Sequence, residues 1–462
     1  MQPPLLTELP YHEDSARLFE GIADLPWAVF LDSGRHHPAQ SRYDILSAQP
    51  HIRLVTRGAL TEIYHDGIEL SRDDPFALLR RALAIDPGCG GTLPFCGGAI
   101  GYFGYDLARR IERLPAVAED AEGIPDMAVG IYDWAVIVDH LERRSWLVGQ
   151  GRDPETDLKW TGLVRQFSVP SPERSRAPFR IHTPITSNLP HEAYARAFRR
   201  IRGYIHDGDC YQVNLAQRFC AGAGGDPWLA YQRLRIINPA PFSAYLNTPY
   251  AQVLSASPER FLKVAGGRVE TKPIKGTRPR AGHARLDAEL VEALAASAKD
   301  RAENLMIVDL LRNDLSKSCA LGSVKVPRLF EVESFATVHH LVSTVTGDLR
   351  PDRDALDLLR GCFPGGSITG APKLRAMQII EELEPNRRGV YCGAIGYAGF
   401  DGGMDLNIAI RTLVHSRGTI RFWAGGGIVA DSQLEDEYQE TFDKAAAMLK
   451  LLQQSSEGQR EA

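Results

Sequence analysis

Apolar positions along the chain follow two periods. Through the first 150 residues, short runs rich in β-branched and aromatic residues recur between turns, at 27–31 (WAVFL), 43–46, 51–55 and 60–64. This pattern predicts strands. A helix is predicted over 75–84, with Asp73 or Asp74 as its cap. The segment 95–106 (FCGGAIGYFGYD) reads as a strand running into a helix start. Its glycines are spaced loosely like a dinucleotide loop, but no acidic residue follows about 20 positions on in a second strand, so close sheet packing is the reading. The run 127–139 (MAVGIYDWAVIVD) is largely apolar and β-rich and predicts one strand buried on both faces.

Periodicity fades over 151–190, where SVPSPERS has a linker composition. A helix follows over 191–206, apolar at Tyr194, Phe198, Ile201 and Ile205, and then a strand over 211–219. Runs at 253–257 and 260–264 lead through a Gly266-Gly267 turn to a return strand, 268–271. Helices are predicted over 287–297 and 299–315, and strands near 340–345, 391–400, 406–414 and 419–424. A last helix, 434–452, precedes a polar tail, 453–462, expected to be disordered. The division is therefore an N-terminal β-rich domain (1–150), a linker (151–190) and a second region (191–452). Strands and helices mix without βαβ alternation or internal repeat, which makes the class α+β.

Composition narrows the function. The 462 residues are 44% hydrophobic and 24% charged, with net charge -5. No basic stripe suggests a nucleic-acid partner, and no apolar run approaches the roughly 20 residues of a membrane span. The N-terminus lacks the basic and apolar regions of a secretion signal. Seven cysteines (89, 96, 210, 220, 319, 362, 392) are scattered, and Cys89 and Cys96 are spaced wrongly for a C-x-x-C pair. Reduced thiols in a cytoplasmic protein are the expectation.

Candidate chemistry centres on Thr271-Lys272-Pro273-Ile274-Lys275-Gly276-Thr277. Lys275 is either a surface lysine on a strand edge or, if desolvated, an amine nucleophile. Continuing the hairpin register about Gly266-Gly267 places Glu259 opposite Ile274 and Pro258 opposite Lys275, within one position of a contact. That pairing suits an ordinary ion pair as well as an acid beside a nucleophile. Glu437, Glu440 and Lys444 share one face of the last helix. They form either a solvated stripe or, with Glu303 from another helix, a site for a hard cation. The loop 363–373 (FPGGSITGAPK) fails as a phosphate loop, because Ala371-Pro372 stands where Lys-Ser/Thr is needed. Bare amides at Gly425-Gly426-Gly427 and the guanidinium of Arg411 suit a small polycarboxylate, although turn geometry and packing account for each taken singly.

Taken together, DGDCYQVNLAQRF (207–219), SPERF (257–261), PIKGTRPR (273–280), KDRAENLMIVDLLRND (299–314), VHHLVSTVTG (338–347), FPGGSITGAPKLRAMQIIEELEP (363–385) and AGGGIVADSQLEDEYQETFDKA (424–445) resemble the chorismate-utilising enzymes. The N-terminal LPWAVFLDSG, SRYDI and GYFGYDLARR extend the resemblance over nearly the whole chain. It implies an anthranilate-synthase-like fold, two intertwined β-rich layers forming a sandwich core with helices outside. Lys275 stands where anthranilate synthase, the runner-up reading, has alanine. Gln212 stands where isochorismate and salicylate synthases carry a water-activating lysine. Both positions favour the aminodeoxychorismate-forming branch.

The resemblance implies that Mg²⁺ bridges the ring carboxylate of chorismate to Glu303 and Glu440, with Glu437 supporting the metal's waters. Arg411, Lys444 and the amides of Gly426 and Gly427 would hold carboxylates, and Gln212, His340 and Ser367 would line the substrate. Lys275 would attack C2 while Glu259 protonates the departing C4 hydroxyl, and ammonia would then displace the lysine at C4. The ammonia would come from a separate glutaminase subunit, since no cysteine here sits in a nucleophile elbow. Family members also bind tryptophan, and the matching positions are Ser33, Ser41, Arg42, Tyr43, Pro241, Phe242 and Ser243. Gln40 replaces a tyrosine of one tryptophan-binding relative, which leaves retention of that pocket open. A non-catalytic tryptophan-binding regulatory subunit is the reading from another class, opposed by the joint presence of Glu259, Lys275, Glu303, Glu440 and Arg411.

Overall fold

In the computed structural model, residues 5–34, 42–86, 89, 91–335 and 338–457 are described, and their short apolar runs pair into two antiparallel sheets. The first, of 13 strands, runs through Leu5–Leu9, Arg144–Gly149, Trp134–Asp139, Tyr43–Ser47, Ala28–Asp32, Phe242–Asn247, Gln252–Ser257, Thr412–Ser416, Thr419–Ile428 and Gln212–Gly224. The second, of 12 strands, runs from Ile274–Pro279 through Val338–Asp348, Arg268–Thr271, Arg260–Ala265, Met404–Ile408 and Ala394–Gly399. It continues through Gly98–Phe103, Met127–Tyr132, Ile52–Arg57 and Leu60–Tyr64 to Ile68–Ser71. Val29, Ile45, Ile137 and Val253 of the first sheet pack with Ile100, Tyr102, Ala128 and Ile395 of the second. Outer faces are covered by helices, as where Phe30 and Phe422 meet Trp228, Met448 and Leu451. Burial on both faces explains the near-continuous apolar runs.

Both sheets combine strands from before and after the expected linker, so that boundary does not separate two cores. The span 151–190 itself carries a helix, Pro154–Phe167, which the fading periodicity hid. Asp153 caps it by accepting the Glu155 amide, Pro154 begins its first turn, and Leu163 and Phe167 are buried. The same Asp-Pro start marks an unforeseen helix, Pro227–Ile237. The last helix runs from Leu434 to Glu457, beyond its expected end and into the span expected to be disordered. Residues 458–462 lie outside the described residues.

Two runs expected as single strands change sheets part-way. Met127–Tyr132 lies in the second sheet and Trp134–Asp139 in the first, with Asp133 between them. Likewise Met404–Ile408 and Thr412–Ser416 lie in different sheets, joined by 409–411. Gln252–Ser257 and Arg260–Ala265 change sheets at Pro258-Glu259. The last two crossings touch: the Ala256 amide donates to the Arg411 carbonyl at 3.0 Å, and the Ile408 amide to the Glu259 carbonyl at 3.0 Å. Arg411 takes a left-handed φ of 51° to make its turn.

Candidate active site

Glu259 and Arg411 therefore stand where the two sheets exchange strands. Glu259 is 6% exposed, and its carboxylate accepts the Ser367 hydroxyl at 2.8 Å. The Ile274 amide also donates to it. The hairpin register holds where expected, with Lys263 opposite Glu270 and Ala265 opposite Arg268. It does not continue to Ile274 as a ladder. Val338–Asp348, already paired with Arg268–Thr271 on its other edge, is the strand that Ile274 continues along, Ile274 opposite Val342 and Thr277 opposite His340, and the extra residue makes a bulge at Lys275-Gly276. The bulge turns Lys275 inward, where its Nζ donates to the Ser367 carbonyl at 3.3 Å. Ser367 thus touches both groups, one through its hydroxyl and one through its carbonyl. Gly276 has φ of 82°, and a Cβ there would meet Asp300 Cγ and a Leu294 methyl at 2.9 Å.

Burial acts on the two groups in opposite directions. It pushes the Glu259 carboxyl up, although Ser367, Lys275, the Ile274 amide and Lys444 pull it down. It pushes the Lys275 ammonium down, helped by Lys444 and opposed by Glu303, Glu259 and Glu440. Each group is moved toward its neutral form, as an acid and an amine nucleophile need.

A second wall comes from the strand Thr419–Ile428 and the C-terminal helix. Bare Gly426 faces Glu437 and Glu440, whose oxygens would stand 3.1 and 3.2 Å from a Cβ there. At Gly427 a Cβ would overlap Gln212 Nε2, at 1.8 Å. Lys444 donates to the Gly425 carbonyl at 3.0 Å and pairs with Glu440 at 2.5 Å. Burial alone would raise the Glu440 carboxyl, but Lys444, Lys275 and Lys299 bring it below its usual value. Glu437 is raised by burial against the Ser432 hydroxyl, which donates to it at 2.7 Å. Glu303 is raised by burial and by Glu440, against Lys275 and Lys299. Glu437 Oε2 and both polar atoms of Gln212 are buried without a hydrogen-bond partner.

These carboxylates suit a magnesium ion in one specific sense. Among the described residues no three His, Cys, Asp or Glu side chains form a ready metal cage. Mg²⁺ is ordinarily held by one or two carboxylates, substrate oxygens and waters, and the unsatisfied Glu437 oxygen beside Glu440 meets that need.

His340 and Arg411 complete the polar lining. Burial, and then the Arg411 cation, push His340 down to about 4, leaving its ring neutral near pH 7, with Nδ1 2.9 Å from the Thr277 hydroxyl. Burial also lowers the Arg411 guanidinium, and among the described residues it has no carboxylate within ion-pair distance. An uncompensated cation at the crossing invites an anionic ligand. Lys299 (3.7 Å from Glu437), Ser432 and Asn214 also belong to the site and were not singled out from sequence. All three lie within the motif segments.

A separate cavity of about 930 Å³ is lined by Ser33, Arg42, Tyr43, Pro241, Phe242 and Ser243, and also by Arg260, next to Glu259. Ser41 and Gln40 lie outside the described residues. The Ser33 hydroxyl donates to Asp44 at 2.6 Å and Arg42 pairs with Asp139 at 2.8 Å, so two of the expected polar anchors already have partners.

Residues 40–450 match the family described as chorismate binding enzyme. The chain belongs to the chorismate-binding enzymes. Within them it is 50% identical to aminodeoxychorismate synthase component 1 of Klebsiella aerogenes, over 98% of this chain and 100% of that one. It is 48% identical to the protein of that name from Escherichia coli (strain K12), over 97% and 99%. Among solved structures it resembles anthranilate synthase component I from Streptococcus pneumoniae, with a TM-score of 0.80 at 34% identity over 88% of this chain and 92% of that one. This chorismate-binding enzyme has, among its described residues, no helix long and apolar enough to cross a membrane.

Proposed function

We propose that the protein aminates chorismate at C4 with ammonia, forming 4-amino-4-deoxychorismate for 4-aminobenzoate and folate synthesis. The observation that carries this reading is the shared contact of Glu259 and Lys275 with Ser367, each buried toward its neutral form. The neutral Lys275 amine attacks C2, forming a C–N bond as the C4–O bond breaks. The hydroxyl leaves as water with the Glu259 proton, and the Glu259 carboxylate takes back the proton released by the alkylated amine. Ammonia then attacks C4 as the C2–N bond breaks; Glu259 gives its proton to the departing Lys275 amine and takes one back from the new C4 ammonium. Arg411, Lys444 and the Gly426 and Gly427 amides orient the carboxylates, while neutral His340 lines the ring.

Glu303, Glu437 and Glu440 would hold Mg²⁺, which when bound neutralises the substrate carboxylate and fixes its orientation. Ammonia is supplied by a partner glutaminase. In support, burial pushes Cys96 and Cys319 up to about 11 and Cys392 to about 12, which is the opposite of an activated thiolate. Tryptophan is the proposed occupant of the 930 Å³ cavity. Anthranilate synthesis is the second reading, and Lys275 in contact with the Ser367 carbonyl disfavours it.

Incubation with chorismate, Mg²⁺ and ammonium tests the reading. The expected product is aminodeoxychorismate by mass. Omitting ammonium should leave Lys275 heavier by chorismate less one water. Fluorescent anthranilate as the product would overturn it.

A further inference from the structure

Behind the Ser367 loop lies a buried ion pair that touches none of the reacting groups. Arg388 is 1% exposed. Its Nε donates to Glu384 at 2.9 Å and its Nη2 to the other Glu384 oxygen at 2.6 Å. The same guanidinium donates from Nη1 to the Ile368 carbonyl at 3.0 Å and from Nη2 to the Asn214 carbonyl at 2.9 Å. The rings of Tyr105 and Tyr391 flank it at 4.9 and 5.6 Å. Glu384 also accepts the Ala216 amide at 2.9 Å. The pair thus grips the strand Gln212–Gly224 at Asn214 and Ala216, and grips the loop at the residue after Ser367.

Asn214 closes the circuit, because its side-chain amide donates to the Ser367 carbonyl at 3.1 Å, the oxygen that also receives Lys275. A buried arginine–glutamate pair contributes little net stability, since desolvation offsets attraction. Its planar fork, however, imposes geometry on everything it binds. We propose that Arg388, oriented by Glu384, is a positioning residue that fixes the Ser367 loop against strand Gln212–Gly224 and so sets the spacing of Glu259 and Lys275. This role rests on the amination reading above, and part of its test does not need chorismate.

Arg388→Lys keeps the charge and loses the fork. Turnover should fall about tenfold or more while KM stays within about threefold, as expected for lost alignment rather than lost binding. Ser367→Ala should then cost much less in the Arg388→Lys background than in the native protein, because one acts through the other. Without substrate, the rate at which an amine-directed reagent labels Lys275, followed by peptide mass, should change by at least about threefold. If Arg388→Lys does not fold, Glu384→Gln weakens the same clamp and carries the same measurements. Additive losses for Ser367→Ala, or unchanged Lys275 labelling in a folded variant, overturn the proposal. Altered labelling without chorismate turnover would instead count against the amination reading and leave the clamp standing.

Discussion

The two sides of the site are built to different standards. Glu259 and Arg411 sit at sheet crossings, and the strand Thr419–Ile428 is paired with Gln212–Gly224 along its length and with Thr412–Ser416 over 419–422. The opposite side is a lobe made of the sheet-edge strand Ile274–Pro279 and the helix Ala284–Ala296, backed by the helix Ala298–Ser316, whose Ile307, Val308, Leu311 and Leu315 are buried. No residue of that strand is fully buried, and Leu294 is the buried residue of the first helix. Lys275 belongs to this lobe, and Glu303 to the helix that backs it. Segments with few buried apolar side chains open at lower free energy than a sheet core. The acid is therefore held by the fold, and the nucleophile by a thin lobe pinned at Gly276 and Ser367.

The largest effect is expected at the nucleophile. Lys275→Ala should lower turnover by about 10³-fold or more, as removal of a covalent catalyst does. Its circular dichroism and Tm should stay near native, because the lobe stabilises little. A variant retaining half the native rate would remove the covalent step.

Glu259→Gln should cost about 10²- to 10⁴-fold, the usual range for a general acid, and it has a signature that Lys275→Ala lacks. The Glu259 carboxyl titrates above its ordinary value in the folded protein, so ionising it destabilises the fold as pH rises through that pKa. At a pH above that raised value, where the buried carboxyl is ionised, the neutral glutamine should leave Tm equal to or above native. For Lys275 the sign is reversed. Its folded pKa lies below 10.5, so stability rises with pH through the window beneath that value. In the Glu259→Gln variant the acid limb of kcat/KM should report the Lys275 amine alone, with a midpoint below 10.5. A midpoint at the ordinary lysine value would mean the lobe leaves Lys275 solvated.

The contrast between the walls also marks what the sequence could convey. Where period and turn chemistry were clear the element type followed, down to the register of Lys263 with Glu270, but the helices Pro154–Phe167 and Pro227–Ile237 escaped it. The crossings at Asp133 and 409–411 escaped it too, because one charged residue between two largely apolar runs, Asp133 or Arg411, leaves no turn signal. The loss of the Arg260–Ala265 partner beyond Thr271, while Val338–Asp348 stays paired through Pro279, was equally hidden. Even so, the extrapolated neighbour of Glu259 was Ile274, and the Ile274 amide is what its carboxylate receives. The juxtaposition survived although the ladder did not. Arg388 and Glu384 stayed silent because a clamp made of a side chain and distant carbonyls leaves no local spacing to read.

The smallest effect should come from the lobe's packing. Leu294 is buried against the bulge, with a methyl 2.9 Å from where a Gly276 Cβ would be. In a full core, Leu→Ala costs about 2–5 kcal/mol. Here Leu294→Ala should spend that loss locally, because little else is buried with it in its helix. Amides of 284–303 should exchange with solvent at least about tenfold faster, while those of 419–428 keep native rates. Turnover should fall severalfold through Lys275 placement, with Tm nearly unchanged. Equal acceleration in both segments would show one cooperative unit, and the two walls would then share a single stability.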